Sequence, residues 1–136
     1  MIGFIIVTHG RLGAELIKTA EFILGRIDNA GAVSIDGLHS PESMRESIEK
    51  AIRAHDQGQG VIVLTDMFGG TPSNLSLSFL DKWNVEVLTG VNLPMVIKLV
   101  QVREKLPLLE LAQAIGEYGR KSINVAGEIL TKRPAG

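Results

Sequence analysis

His9 and Asp66 are the two side chains in this sequence best placed to act together. Each follows a short, continuous apolar run: Ile2-Gly3-Phe4-Ile5-Ile6-Val7-Thr8 before His9, and Val61-Ile62-Val63-Leu64-Thr65 before Asp66. An imidazole has two nitrogens. A carboxylate bonded to one fixes the tautomer and leaves the other as a nucleophile or proton acceptor. The segment after Asp66, Met67-Phe68-Gly69-Gly70-Thr71-Pro72-Ser73-Asn74, supplies a cradle for an anion. Its glycines allow close backbone approach, and Thr71 opens a helix whose free amides face an anion. Hydroxyls on Thr71 and Ser73 can donate to phosphoryl oxygens. Together these residues suit a histidine that carries a phosphoryl group.

Plainer readings stand beside this one. Taken singly, His9 is more readily a structural histidine, and Asp66 is as readily a turn cap as a functional group. Their matched positions after two strands reverse that balance. His39 precedes a helix and reads as a loop residue, with a minor binding role left open by its place at the same sheet edge. His55 sits late in a helix, where it complements the negative end of the dipole. Glu15, Lys18, Glu46, Glu49 and Lys50 read as a solvated face.

The elements that position the pair are legible from periodicity. Runs 2–8 and 61–65 suit parallel strands buried on both faces. Residues 12–24 carry apolar side chains at 12, 16, 20 and 23, the spacing of a helix face, and Gly25 stops that helix. A second strand covers 32–36. Ser40-Pro41-Glu42 then supplies an N-cap, a proline and an early acid for a helix with Met44, Ile48, Ala51 and Ile52 inward. Thr71-Pro72 reads as a further cap and N1 proline for a helix through Leu75, Phe79 and Leu80. Residues 85–89 form a fourth strand, followed by helices over Met95–Val102 and Leu108–Tyr118. Ser122-Ile123-Asn124-Val125-Ala126 is expected as a short extra strand.

This alternation implies an α/β fold: a doubly wound, mainly parallel four-stranded sheet flanked by helices. The order 2-1-3-4 reverses direction between strands 1 and 3, and ligands bind at such a switch point. That crevice would bring His9 to Asp66. The chain of 136 residues is expected to form one domain, 1–136, burying roughly two-thirds of its unfolded surface. Its net charge of −1 gives no electrostatic grip on nucleic acid. Without cysteine there is no disulfide, thiolate chemistry or Cys-type zinc site. No apolar stretch approaches the roughly 20 residues of a membrane span. The first residues lack the pattern of a signal peptide, so a cytoplasmic protein is expected.

Other chemistries fit less well. The glycine segment lacks the lysine and spacing of a Walker A loop, and Gly10 and Gly13 do not complete a dinucleotide fingerprint. A metal hydrolase on His9, His39, Asp36 and Asp66 has suitable ligand types, but nothing in the spacing demands it. Neither metal nor cofactor is expected.

Four stretches in order, Ile6-Val7-Thr8-His9-Gly10, Lys18-Thr19-Ala20-Glu21, residues 66–74 and Thr89-Gly90-Val91-Asn92-Leu93-Pro94-Met95, resemble the mannose-family IIA component of the bacterial sugar phosphotransferase system (PTS). The resemblance runs from residue 2 to about 127. It implies a phosphotransferase in which His9 takes a phosphoryl group on Nε2 from the histidine-containing phosphocarrier protein. His9 would then pass it to a IIB domain, and through it to a membrane transporter. It implies that Asp66 holds Nδ1 of His9, and that the loop at Gly70, Thr71 and Ser73 lies beside the phosphoryl group. It also implies a homodimer in which residues 122–126 cross to the partner's sheet as a fifth, antiparallel strand. Phe68 stands where some members carry tryptophan. A chain ending at Gly136 is expected to use a separate IIB protein. Two alternatives stay open: the phosphotransfer subunit of a dihydroxyacetone kinase, and a regulatory module read by its phosphorylation state.

Overall fold

The computed structural model describes residues 1–130. Strands and helices alternate: β1 (Gly3–His9), α1 (Leu12–Leu24), β2 (Ala30–Ile35), α2 (Pro41–His55), β3 (Val61–Thr65), α3 (Thr71–Leu77), β4 (Val85–Thr89), α4 (Leu93–Val102), α5 (Leu108–Lys121) and α6 (Ala126–Leu130). The four strands form one parallel sheet in the order β2-β1-β3-β4. This is the expected topology.

The central strands are apolar up to Thr8 and Thr65 at their carboxyl ends because both of their faces are covered. Phe4, Ile6, Ile62 and Leu64 point into one core, with Met95, Val96 and Leu99 of α4 and Leu111 and Ile115 of α5. The intervening residues Ile5, Val7, Val61 and Val63 point into the other, against Met44, Ile48 and Ile52 of α2 and Phe79. Each fully buried side chain of this size contributes about 1.5–3 kcal/mol. The two cores therefore hold the strand ends, and with them the site, to one geometry.

Side-chain caps set the starts of α2 and α4. Ser40 Oγ accepts from Ser43 N–H at 3.1 Å, with Pro41 in the first turn. Asn92 Oδ1 accepts from Met95 N–H at 3.0 Å. The start of α1 is different. Its first turn is tied back to β1 by Thr8 Oγ1, which accepts from Gly13 N–H at 2.9 Å. Gly25 ends α1 with φ at 85°, a backbone conformation glycine adopts without strain.

Several expectations are corrected. The inner face of α1 holds only half of the expected 12, 16, 20 and 23: Ala20 is buried and Leu16 packs against the core, as do Gly13 and Ile17, while Leu12, Phe22 and Ile23 are exposed. The helix is rotated because Gly13, which has no side chain, lies directly on Ile6. The cap of α3 is Gly70 rather than Thr71, so Pro72 takes the second helical position. Residues 122–126 do not form a strand within the chain. Ser122 closes α5, residues 123–125 have no regular structure, and Ala126 opens α6. Ile123 and Val125 remain exposed because no strand of their own chain receives them.

The close approach of α1 to β1 gives a first prediction. A Cβ at Gly13 would lie 2.8 Å from Ile6 O and 3.2 Å from Ile6 Cβ. Gly13→Val should therefore destabilise the fold by about 1–3 kcal/mol, as overpacking does. Urea denaturation against the wild type checks it, and an unchanged midpoint would show that α1 has room to shift.

Candidate functional site

The sheet order delivers two side chains from distant parts of the sequence to one crevice. β1 and β3 pair from Gly3↔Val61 to Val7↔Thr65, so His9 and Asp66 leave adjacent strands at the same carboxyl edge. The connections on either side of them run in opposite directions, to β2 and to β4. This is the switch point of a doubly wound sheet.

Asp66 grips His9 twice with one oxygen. Oδ2 lies 2.7 Å from His9 Nδ1 and accepts from the His9 main-chain N–H at 3.0 Å. The other oxygen, Oδ1, accepts from Met67 N–H at 3.0 Å. Because a carboxylate can only accept, this geometry puts the ring proton on Nδ1 and leaves the lone pair on Nε2. Partial burial pushes the Asp66 carboxyl up, but the bonds from the His9 ring and main chain, its charge and the bond from Met67 outweigh that and hold it below its ordinary value. The aspartate side chain is 13% exposed and the histidine side chain 52%. The anchor is sheltered, and the reactive edge faces outward.

Gly70 completes the contact. Its φ of −86° and ψ of 171° are open to any residue, so conformation does not require glycine here. Space does: a Cβ would lie 2.9 Å from His9 Cε1 and 3.5 Å from Nε2. Gly69 is the opposite case, with φ at +89° and nothing near the position of a Cβ. One glycine turns the loop, and the next makes room for the imidazole.

The remaining residues of the expected cradle differ among themselves. Thr71 and Ser73 lie in the first turn of α3, where the helix's own ladder leaves amides free and Pro72 has none to give. Thr71 is exposed. Ser73 is fully buried, and its hydroxyl has no partner among the described residues. Neither side chain bonds to the His9 ring. Met67 and Phe68, 55% and 72% exposed, are apolar residues of the same loop. The main-chain bonds of His9 and Met67 to Asp66 carry no mark in the sequence. The same holds for the tie from Thr8 to Gly13.

His39 and His55 stand apart from this pair. His39 bonds to Asp36, and His55 Nδ1 lies 2.7 Å from Ala51 O, serving the carboxyl end of α2 as expected. No group of three or more His, Cys, Asp or Glu side chains that could hold a metal occurs among the described residues. No helix among them is long and apolar enough to cross a membrane.

The family profile EIIA-man, described as "PTS system fructose IIA component", matches residues 3–116. The chain belongs to this phosphotransferase-system IIA family. It is 34% identical over 127 residues to the PTS system mannose-specific EIIAB component of Escherichia coli K12, covering 90% of this chain and 39% of that protein. The chain thus spans about two-fifths of the length of that relative. It is 30% identical over 133 residues to the PTS system fructose-specific EIIA component of Bacillus subtilis, covering 97% of this chain and 91% of the relative. The crystal structure of a PTS IIA protein associated with the fucose utilization operon of Streptococcus pneumoniae superposes with a TM-score of 0.83 at 26% identity, covering 94% and 95% of the two chains. An EIIA component from Streptococcus agalactiae superposes with a TM-score of 0.85 at 24% identity, covering 94% and 99%, and shares the fold.

The lowered Asp66 carboxyl links stability to pH. A carboxyl with a folded-state pKa below its unfolded value adds stability that is present above the unfolded value, near 3.8, and is lost as pH falls through the folded value. Acidification below about pH 4 should then lower the melting temperature by this route. Asp66→Asn should flatten that part of the profile. Melting curves from pH 6 downward check it, and parallel curves for both proteins would contradict it.

Proposed function

We propose that His9 accepts a phosphoryl group on Nε2 from the histidine-containing phosphocarrier protein and passes it to a IIB protein. The observation that carries this reading is the divided ring: Nδ1 occupied by a sheltered carboxylate, Nε2 without a hydrogen bond among the described residues, on a half-exposed side chain. In the forward step the Nε2 lone pair attacks phosphorus, the donor's P–N bond breaks and a new P–N bond forms on His9. The Nδ1 proton stays in place, and Asp66 offsets the positive charge that the ring gains. Transfer to the IIB histidine is the same exchange in the other direction.

Gly70, Thr71 and Ser73 are the proposed phosphoryl neighbours. Gly70 leaves Nε2 uncovered. The Thr71 and Ser73 amides and hydroxyls supply donors near it, and buried Ser73 has a hydroxyl still to satisfy. Residues 1–136 are read as one IIA domain acting in the cytoplasm, with its membrane partner reached only through IIB.

Variant kinetics test the relay. With phosphoenolpyruvate, enzyme I and the carrier protein, the wild type should gain an acid-labile, base-stable group on the peptide containing His9. His9→Ala should lose all delivery to IIB. Asp66→Asn should keep the fold and slow transfer by about 10²–10⁴-fold, the range for orienting and acid–base residues. A change under about threefold would remove Asp66 from the mechanism.

We further read the protein as a homodimer. β4 is an open edge of the sheet, and a parallel edge left bare invites pairing. Ile123, Val125, Ile129 and Leu130 are exposed just beyond α5. Exchange of residues 122–126 onto the partner's β4 would cover both, with Ala126 leaving α6. Sedimentation should give a dimer at micromolar concentration, and truncation after Arg120 a less stable monomer. A full-length monomer would refute the exchange.

A further inference from the structure

A second imidazole on this sheet edge is held in the manner of His9. His39 Nδ1 lies 2.9 Å from Asp36 Oδ1, and the His39 main-chain N–H donates to that same oxygen at 3.2 Å. At His9 the corresponding distances to Asp66 Oδ2 are 2.7 and 3.0 Å. In both places one carboxylate oxygen takes the ring and the main chain of one histidine. The proton is thereby set on Nδ1, and Nε2 is left for chemistry. Among the described residues no hydrogen bond occupies His39 Nε2. The His39 side chain is 61% exposed, against 52% for His9.

The local chain explains how the pair forms. Asp36 directly follows β2, and its Oδ1 accepts from Leu38 N–H at 2.9 Å as well as from His39 N–H. This is an aspartate-stabilised turn, which delivers residue 39 back over residue 36. Such a turn needs only the two amides; the contact to the ring is additional. That contact is the foremost cause holding the Asp36 carboxyl below its ordinary value, followed by the bond from Leu38. His39 also lines a groove of 490 Å³ between β2 and α2, together with Ser43, Ser47 and Lys50. Lys50 and the Ser43 hydroxyl match the charge and acceptor oxygens of a phosphoryl group, while the Ser47 hydroxyl is engaged with the Ser43 carbonyl. The two histidine pairs are neighbours: His9 pairs with Ile35, the residue before Asp36, and the Ser34 hydroxyl bonds to the Gly10 carbonyl.

We propose that His39 is a second phosphoryl acceptor, modified on Nε2 by a protein phosphohistidine of the class that serves His9. It rests on the His9 reading only for the identity of that donor. The Nε2 lone pair attacks phosphorus, the donor's P–N bond breaks, and a P–N bond forms on His39. The Nδ1 proton stays against Asp36, whose charge offsets that of the ring. Asp36 is 39% exposed where Asp66 is 13% exposed, so solvent weakens its hold on the ring. His39 is therefore the slower acceptor, and it charges when donor is in excess over what the relay removes.

The full chain and its His9→Ala, His39→Ala and Asp36→Asn variants would be charged with phosphoenolpyruvate, enzyme I and the carrier protein. Intact mass and peptide mapping then count acid-labile groups. The wild type should take up one group on His9 and, more slowly, a second on His39. His39→Ala should stop at one, and His9→Ala should still hold one at residue 39. Asp36→Asn keeps the turn's acceptor and removes the charge, and should slow only the second uptake, by at least about tenfold. No group at residue 39 once His9 is fully charged would overturn the proposal, as would uptake there that Asp36→Asn leaves unchanged. Should neither histidine be charged, the reading of His9 is what fails. Phosphoramidate, a small N-phosphoryl donor, then decides His39: uptake slowed by Asp36→Asn supports the proposal, and uptake indifferent to it overturns the proposal.

Discussion

A single carboxylate oxygen holds the main chain and the ring of a residue 57 positions away, and the geometry of the site follows from that contact. Two bonds to one residue fix more than a distance. The main-chain bond sets where β1 stops relative to β3, and the ring bond sets which imidazole edge looks outward. The main-chain bond alone would leave the side chain free to rotate. The apolar strands on both sides make the arrangement stiff, because a shift of β1 against β3 would slide Phe4, Ile6, Ile62 and Leu64 out of register with the helices that cover them.

Much of this could be read in advance, and the parts that could not have physical reasons. The strands were legible because a parallel sheet covered on both faces keeps its central strands apolar until their carboxyl ends. The pairing of His9 with Asp66 was legible because both end such runs and the fold has one switch point. The face of α1 was only half legible, at Leu16 and Ala20, because Gly13 counts for nothing in an apolar pattern yet is the residue lying on Ile6. Thr71 looked like a cap because threonine commonly is one, while the chain uses the extended backbone of Gly70 and spends no side chain there. Residues 122–126 have the composition of a strand. A strand exists only by pairing, and composition does not say where the partner edge is.

The two ends of the sheet are built for different purposes. At the amino end the polar groups are consumed internally. Arg103 is buried with its guanidinium donating to the Asp28 and Asn29 carbonyls and lying over the Phe4 ring at 5.6 Å. Burial pulls its pKa below the ordinary arginine value, against the neighbouring charges of Glu104 and Asp28. His55 lies over Gly31, where a Cβ would come within 2.8 Å of its ring, and bonds to the carbonyl of Ala51. At the carboxyl end each histidine has one nitrogen bonded to a carboxylate and the other left open.

The divided imidazole of His9 also bears on what an isotope experiment would see. With Nδ1–H already bonded to Asp66, a group entering or leaving at Nε2 requires no proton to be drawn from water or returned to it. Chemistry at that nitrogen is then a movement of heavy atoms alone, and exchange of the solvent for deuterium oxide would leave its rate almost untouched. A histidine without such an anchor would first have to shed or shuffle its proton, and its rate would carry the signature of that motion.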